Sequence, residues 1–275
     1  MSAGRMYGGG VMRRLGWPLL VACTWTVLLF LMLPTLVAIP VSLTPERFIS
    51  LPHGTLSLVH YREFFGDPAW RSAVLQSLGI GLVATFFAVL LGGLAAVGLW
   101  RLSSRMGETA RLLALAPLMV PPVVSALAFY RFYADIGLID SFTGVILAHT
   151  LLAAPYVLVT TAASLTTLDR RQEQASRSLG AREWQTLLWV ILPQARPGLL
   201  TGAIFAFLTS WDEIVVTLFI ASRDVYTLPR KMWDGLNERV DPTIAAAATV
   251  LFALTLTLVA LQGVRQARAR SRAAH

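Results

Sequence analysis

Six stretches of this chain are too long and too apolar to belong to a water-soluble domain. Residues 15–45, 72–100, 112–130, 141–168 and 242–264 contain no Asp, Glu, Lys or Arg, and 197–222 contains only Asp212 and Glu213. A helix needs about 20 apolar residues to cross the hydrocarbon core, so each stretch is a candidate span. Inside a bilayer every backbone N–H and C=O must be satisfied within the protein, which makes the helix the form such runs adopt. The sequence therefore predicts an all-α polytopic membrane protein with six transmembrane helices. Only 14% of residues are charged, against about 25% in soluble chains. The net charge of +8 raises nucleic acid as a partner. Uncharged runs of this length argue against it, and the lipid bilayer is the partner they imply. The first run exceeds the 7–15-residue core of a signal peptide and no small-x-small site ends it, so it reads as an uncleaved span. The single cysteine, Cys23, lies in that run and has no partner in the chain for a disulfide, so it reads as a small packing residue.

With six spans both termini share a side. The segments on that side carry Arg5, Arg13, Arg14, Arg101, Arg105, Arg111, Arg170, Arg171, Arg177, Arg182, Arg196, Arg265, Arg268, Arg270 and Arg272, which is 15 of the 23 basic residues. They carry four acids: Glu108, Asp169, Glu173 and Glu183. The other side carries eight basic residues and nine acids. Basic residues near span ends collect on the cytoplasmic face, so both termini are expected in the cytoplasm. The basic tail 265–275 then lies near anionic headgroups.

Pro34, Pro117, Pro121, Pro122 and Pro155 lie in or near spans, where each removes a backbone donor and kinks its helix. Small residues between 81 and 100 let helices approach closely. Channels, transporters and membrane enzymes all use both features. No internal repeat supports an inverted-repeat secondary transporter.

The segment 166–198, TTLDRRQEQASRSLGAREWQTLLWVILPQARPG, is too charged to span and too apolar for a flexible linker. Asp169 is placed to cap a helix, with Gln172 three residues on as in a capping box. That helix runs to Leu179, and Gly180 suits the left-handed position that ends one. Glu183, Trp184, Leu187, Leu188 and Ile191 restart an amphipathic helix, which Pro193 interrupts before Pro197 opens the next span. Trp184 and Trp189 sit at interface level. On periodicity alone, this helix–turn–helix fits an interfacial anchor as well as a docking element.

The same stretch is similar to the EAA loop of ABC importer permeases, E-A-A-x-x-x-G followed by nine residues and I-x-L-P. Aligned on Gly180, the pattern falls on Gln174, Ala175, Ser176, Gly180, Val190, Leu192 and Pro193. The spacing matches, while Gln174, Ser176 and Val190 replace Glu, Ala and Ile. The resemblance covers roughly residues 70–265. It implies the type I ABC importer permease (MetI-like) architecture and a loop whose first helix docks in a cleft of an ATPase. Asp169, Glu173, Gln174, Ala175, Ser176, Arg177, Leu179, Gly180, Ala181, Leu192 and Pro193 are the residues that would carry this coupling. Gln174 hydrogen-bonds where the family's glutamate makes a charged contact, so the resemblance leaves that contact either weaker or taken over by Glu173 or an arginine. The implied partners are an ABC ATPase dimer, a second permease subunit forming a heterodimer, and an extracytoplasmic solute-binding protein. TSWDEIVVTLFI (209–220) and TLPRKMWDGLNERVDPTIAA (227–246) resemble the polyamine-type branch, the spermidine/putrescine permeases and their opine-transporting relatives.

No G-x-x-x-x-G-K-[ST] loop occurs, so ATP and its Mg are expected to be used by a separate chain, and no cofactor is expected on this one. His53, His60, His149 and His275 are scattered without H-E-x-x-H or cysteine partners, which predicts no metal. No nucleophile motif appears, so an enzyme is not expected.

Asp212 and Glu213 are the acids of the fifth span. Carboxylates there are costly, by about 2.5–3.5 kcal/mol at the bilayer centre, and usually face a pathway or a partner. Consecutive helical residues diverge by about 100°, so one is expected to face the pathway, Asp212 with Thr209 and Trp211 nearby. These groups suit an amine cation. The same pair also fits a helix-break cap or a salt bridge to a partner. Outer loops 46–71 and 223–241 carry Glu46, Arg47, Arg62, Glu63, Asp67, Arg71, Arg223, Asp224, Arg230, Lys231, Asp234, Glu238 and Arg239. They read either as solvated surface or as a docking rim for the binding protein, with TLPRKMWDGL a short interfacial helix.

Overall fold

The computed structural model describes residues 9–102, 105–239 and 241–273, with side chains described for 17–102, 106–237 and 241–264. Arg5, His275 and the side chains of Arg13, Arg14, Arg105, Glu238, Arg239 and the basic tail from Arg265 onward lie outside the described residues. Every regular element among the described residues is helical. Five helices are long and apolar enough to cross a membrane. They are Trp17–Ser42 within α1 (Gly9–Ser42), α3 (Pro68–Arg101), α6 (Phe142–Leu165), the continuous stretch Glu183–Trp211 and the first part of α12 (Thr243–Ala273). A bent pair, α4 (Arg105–Met119) and α5 (Pro122–Ile136), makes the sixth if it counts as one span.

In that third span the kink expected at Pro121–Pro122 is a full break between two helices. The chain turns by 99° between Met119 and Pro122. Pro121 is extended at φ −56°, ψ 137°, and neither it nor Pro122 has an N–H, so the helical ladder stops there. The carbonyl of Pro121 accepts from the amides of Val124 and Ser125 to begin α5. Pro34 and Pro155 lie inside α1 and α6, which continue through them.

The fifth span also differs from expectation. Helix α8 (Glu183–Thr186) runs through a π-turn at Leu187–Ile191 into α9 (Leu192–Trp211). Pro193 therefore does not interrupt it. In the π-turn the Leu192 amide bonds back to the carbonyl of Leu187, five residues earlier. The wider turn makes room for a proline ring that would otherwise strike the carbonyl of the preceding turn. At its other end α9 stops at Trp211, and a short helix α10 (Val215–Ile220) follows after a break. Asp212 and Glu213 occupy that break rather than the middle of a span.

The chain divides into two compact units, Pro68–Asp234 and the combination of Met1–Asp67 with Gly235–His275. In the second, α12 packs on α1 and on α2 (Val59–Gly66). In the first, α6 is the central post, packed against α3 and α9. Its core forms three tiers: Ile80, Val145, Val216 and Ile220 at one end, Ala88, Ala153, Val157 and Ala206 in the middle, and Leu158, Leu165, Ile191 and Ala195 at the other. Glycines set the helix spacing. A Cβ on Gly202 would lie 2.6 Å from Thr160 Oγ1 and 2.8 Å from Val157 Cα, and one on Gly198 2.5 Å from the carbonyl of Thr160. Gly198 and Gly202 form a small-x-x-x-small step that lets the α6 and α9 backbones touch. The outward faces carry Leu75, Leu82, Phe86, Leu200 and Ile204, all exposed and suited to acyl chains.

Candidate functional site

Two arrangements stand out, a polar helical hairpin at one end of α6 and an acidic groove alongside it. The hairpin follows α6 directly. Asp169 caps α7 (Arg170–Ser178), its carboxylate accepting from the Arg171 amide at 2.9 Å. Gln172 does not close a capping box. Its side-chain oxygen accepts from Gln194 Nε2 at 2.6 Å, joining α7 to α9. At Gly180 φ is +83°, the left-handed turn that the sequence predicts, and α8 begins three residues later.

No residue of α7 is fully buried. Polar links fix it to the unit. Glu173 Oε1 lies 2.9 Å from Arg101 at the end of α3 and 2.9 Å from Arg177 on its own helix. Arg177 also stands 3.3 Å from Glu183. Arg170 donates to the carbonyl of Trp100 and lies over its ring. Ser176 and Thr186 share a hydrogen bond of 3.0 Å across the hairpin. Glu173 is thus used within the chain, with 12% of its side chain exposed. Gln174, Ala175, Ser178 and Leu179 face outward, and Leu179 is 88% exposed. Gln174 borders a hollow of about 290 Å³ with Trp100, Arg101, Arg170, Glu173 and Arg177. Ala181, Val190, Leu192 and Pro193 are half-buried, and Trp184 and Trp189 are exposed.

The groove lies where α9 ends. Tyr156 from α6 and Phe205, Leu208, Thr209, Asp212 and Glu213 line an open space of about 360 Å³. The Tyr156 and Phe205 rings stack, with centroids 6.4 Å apart and 20° between planes. Because the helix has ended, Asp212 and Glu213 both reach this groove, and the divergence expected of consecutive helical residues does not apply. Glu213 Oε1 also accepts from the Val216 amide at 2.8 Å, satisfying the start of α10. Glu213 therefore does cap a helix break, while Asp212 is exposed on the groove. Trp211 does not line it. Its ring stacks on Phe207 at 5.7 Å.

Sequence reasoning passed over three further groups. His149, fully buried in α6, bridges Ser210 (2.8 Å) and Thr217 (3.1 Å) on either side of the break. Its signal was a lone imidazole in an uncharged run. Tyr156 gave no signal. Asp140, in the turn between α5 and α6, has φ +54° and accepts from the backbone amides of Ser222, Arg223, Asp224 and Val225 and from the Ser222 hydroxyl. Desolvation opposes its charge, but these donors together outweigh it and hold the carboxyl well below the usual carboxylate range.

The charges of 223–234 are largely used inside the unit. Leu228–Asp234 forms a helix, α11, as TLPRKMWDGL suggests. Arg230 donates to the carbonyl of Ala221 and lies 3.7 Å from Asp234, and Lys231 Nζ sits 4.9 Å from the Trp70 ring centre. Arg223 and Asp224 remain exposed.

Residues 88–271 match the family described as "Binding-protein-dependent transport system inner membrane component". The spermidine/putrescine transport system permease PotC of Haemophilus influenzae is 29% identical over 240 residues, covering 87% of this chain and 93% of that protein. The trehalose transport system permease SugB of Mycobacterium tuberculosis is 31% identical, with 81% and 84% covered. The putrescine transport system permease PotI of Escherichia coli is 30% identical, with 81% of each chain covered. A bacterial ABC transporter involved in the import of the acidic polysaccharide alginate shares the fold at TM-score 0.70, 13% identity, 95% of this chain and 99% of that chain. Profile, relatives and fold agree, and the chain belongs to the binding-protein-dependent permeases, a multi-span inner-membrane component of an ABC importer that carries solute rather than transforming it.

Proposed function

We propose that this permease imports a polyamine or closely related amine, and that the acidic groove is its side of the pathway. The observation that carries the reading is the convergence of Asp212, Glu213, Thr209 and the stacked Tyr156–Phe205 pair on one open groove. Carboxylates pair with ammonium groups and aromatic faces attract them. PotC and PotI carry polyamines in their names and support the same solute. A second permease faces the groove and closes the pathway, and an extracytoplasmic binding protein delivers the solute.

The arginine distribution supports a cytoplasmic hairpin and cytoplasmic termini. An ATPase dimer grips the outward face of α7, Gln174, Ala175, Ser178 and Leu179. Because Glu173 is already paired with Arg101 and Arg177, the contact made by α7 at Gln174 is by hydrogen bond. ATP binding favours one arrangement of the spans over the other, and α7 passes that preference to α3 and α9.

Putrescine and spermidine uptake into vesicles holding the whole complex tests this, with wild type, Asp212→Asn and Gly180→Trp compared. A Cβ at Gly180 meets nothing within 4 Å, so Gly180→Trp acts through the strained backbone and the added bulk at the docking face. Uptake is expected to need ATP, to fall at least tenfold in Asp212→Asn and to vanish in Gly180→Trp. The SugB likeness favours a second reading, a sugar, because carboxylates and stacked rings also bind sugar hydroxyls and faces. Trehalose uptake without amine uptake would select it.

A further inference from the structure

His60 lies on α2 with its ring buried, 5% of the side chain exposed. Nε2 is 3.0 Å from the carbonyl oxygen of Glu46. A carbonyl only accepts, so Nε2 carries the hydrogen and donates it. In the neutral ring Nδ1 is then a bare lone pair, and this buried nitrogen meets no hydrogen-bond partner. It faces carboxylates instead. Glu63 Oε2 stands 3.7 Å away, and one ring nitrogen of His60, one carboxylate oxygen of Glu63 and one of Asp241 all lie within 4.8 Å of one another. Three acceptors this close together repel unless a cation sits among them, either a proton on Nδ1 or a metal ion.

We propose that His60, Glu63 and Asp241 form a divalent-cation site, with Zn²⁺ the ion the donors favour. One imidazole nitrogen and two carboxylate oxygens suit zinc better than the all-oxygen preference of Mg²⁺ or Ca²⁺. The supporting bonds fit. The Nε2–H on a backbone carbonyl fixes the tautomer that leaves Nδ1 free to ligate, as metal-bound imidazoles usually do. Thr243 orients both acids, its hydroxyl donating to Glu63 at 3.1 Å and its amide to Asp241 at 2.8 Å. Zinc bonds of about 2.0–2.2 Å place tetrahedral ligands about 3.4 Å apart. The His60–Glu63 pair is already near that spacing, and Asp241, within 4.8 Å of both, can close the rest by side-chain rotation. Half of the Glu63 side chain is exposed, which leaves a route of entry and room for water on the metal. The ion ties α2 to the start of α12 within one compact unit. Spacing in the sequence hid it, since H-x-x-E supplies two ligands and the third comes far down the chain.

Zinc binding to the full-length chain in lipid nanodiscs tests the site. The protein is first stripped with a chelator, then dialysed to equilibrium against Zn²⁺, and bound metal and unfolding temperature are measured. His60→Gln keeps an amide donor for the Glu46 carbonyl, and Asp241→Asn keeps an acceptor for the Thr243 amide, so both preserve the local fold. His53→Gln removes an exposed histidine and serves as the control. Wild type and His53→Gln are expected to bind one ion per chain with equal affinity. His60→Gln and Asp241→Asn are expected to bind at least tenfold more weakly, and zinc raises the unfolding temperature of wild type and His53→Gln alone. If wild type retains no more zinc than His60→Gln and Asp241→Asn, or gains no thermal stability from it, the occupant is a proton and the proposal fails.

Discussion

The two ends of α6 are held in opposite ways. At its start, Asp140 threads its carboxylate into a cradle of consecutive backbone amides from 222–225, and its own amide donates to the carbonyl of Ile220 at 2.7 Å. Backbone donors cannot rotate away, so this end is fixed. At its finish, α7 is attached through long side chains, Arg101, Arg170, Arg177 and Gln172, and buries no residue fully. The Arg177–Glu183 pair is exposed, and such pairs contribute about 0–1 kcal/mol. One end is an anchor and the other a handle, and a rigid post between them can carry a push from the second toward the first.

The comparison is broken most severely by attacking the post itself. Gly202→Val drives a branched side chain into Val157 and Thr160 and is expected to cost about 3 kcal/mol, the upper end of overpacking costs, because its Cβ meets the Val157 Cα at 2.8 Å and backbone cannot turn aside. Folded yield by fluorescence size-exclusion should collapse, and uptake with it. A well-folded Gly202→Val protein would mean that α6 and α9 are not rigidly joined.

Asp140→Asn should cost about 2 kcal/mol, because the amide that replaces one carboxylate oxygen faces donors and the charge-assisted bonds are lost. The pH dependence sharpens this. The folded carboxyl is held below its unfolded value of about 3.9, so its contribution is fully present above that value and fades as pH falls toward the folded pKa. The gap between wild type and Asp140→Asn in thermal unfolding should be constant from pH 7 to 5 and narrow below about pH 4. A gap unchanged down to pH 3 would remove the charge from the argument.

Glu173→Gln is the smallest in stability, about 1 kcal/mol, because glutamine keeps an oxygen acceptor for Arg101 and Arg177 on a helix that buries no residue fully. As a cut in the handle it should nevertheless lower ATP-driven uptake several-fold while Tm barely moves. An equal loss at both read-outs would make α7 a structural brace.

Much of this was legible in the sequence because it rests on local rules. Uncharged runs marked the spans, Gly180 marked a left-handed turn, and Asp169 marked a helix start. What escaped depends on partners distant in the chain. Nothing near Asp140 announces that 222–225 will fold its amides around it. Gly198 and Gly202 read as two small residues until α6 is seen against them, and His149 reads as a stray until Ser210 and Thr217 meet it. Pro193 misled for a related reason. A proline normally ends a helix, but a preceding π-turn widens the backbone enough to admit it. For Asp212 and Glu213 the sequence leaves two readings open, divergence on one helix or a cap at a helix break, and the break brings both carboxylates to the groove.

The bend at Pro121–Pro122 bears on how the molecule is made. Helices α4 and α5 have fifteen residues each, about 22 Å of helix apiece, short of the hydrocarbon thickness of about 30 Å. Neither half qualifies as an independent insertion unit. During synthesis this segment is therefore expected to wait at the translocon until its packing partners emerge, α6 for α4 and α10 for α5, so that the chain enters the membrane there as a group of helices rather than one at a time. Chains truncated just after residue 140 should leave the segment uninserted, as glycosylation mapping would detect, and extension through α10, to residue 220, should rescue it.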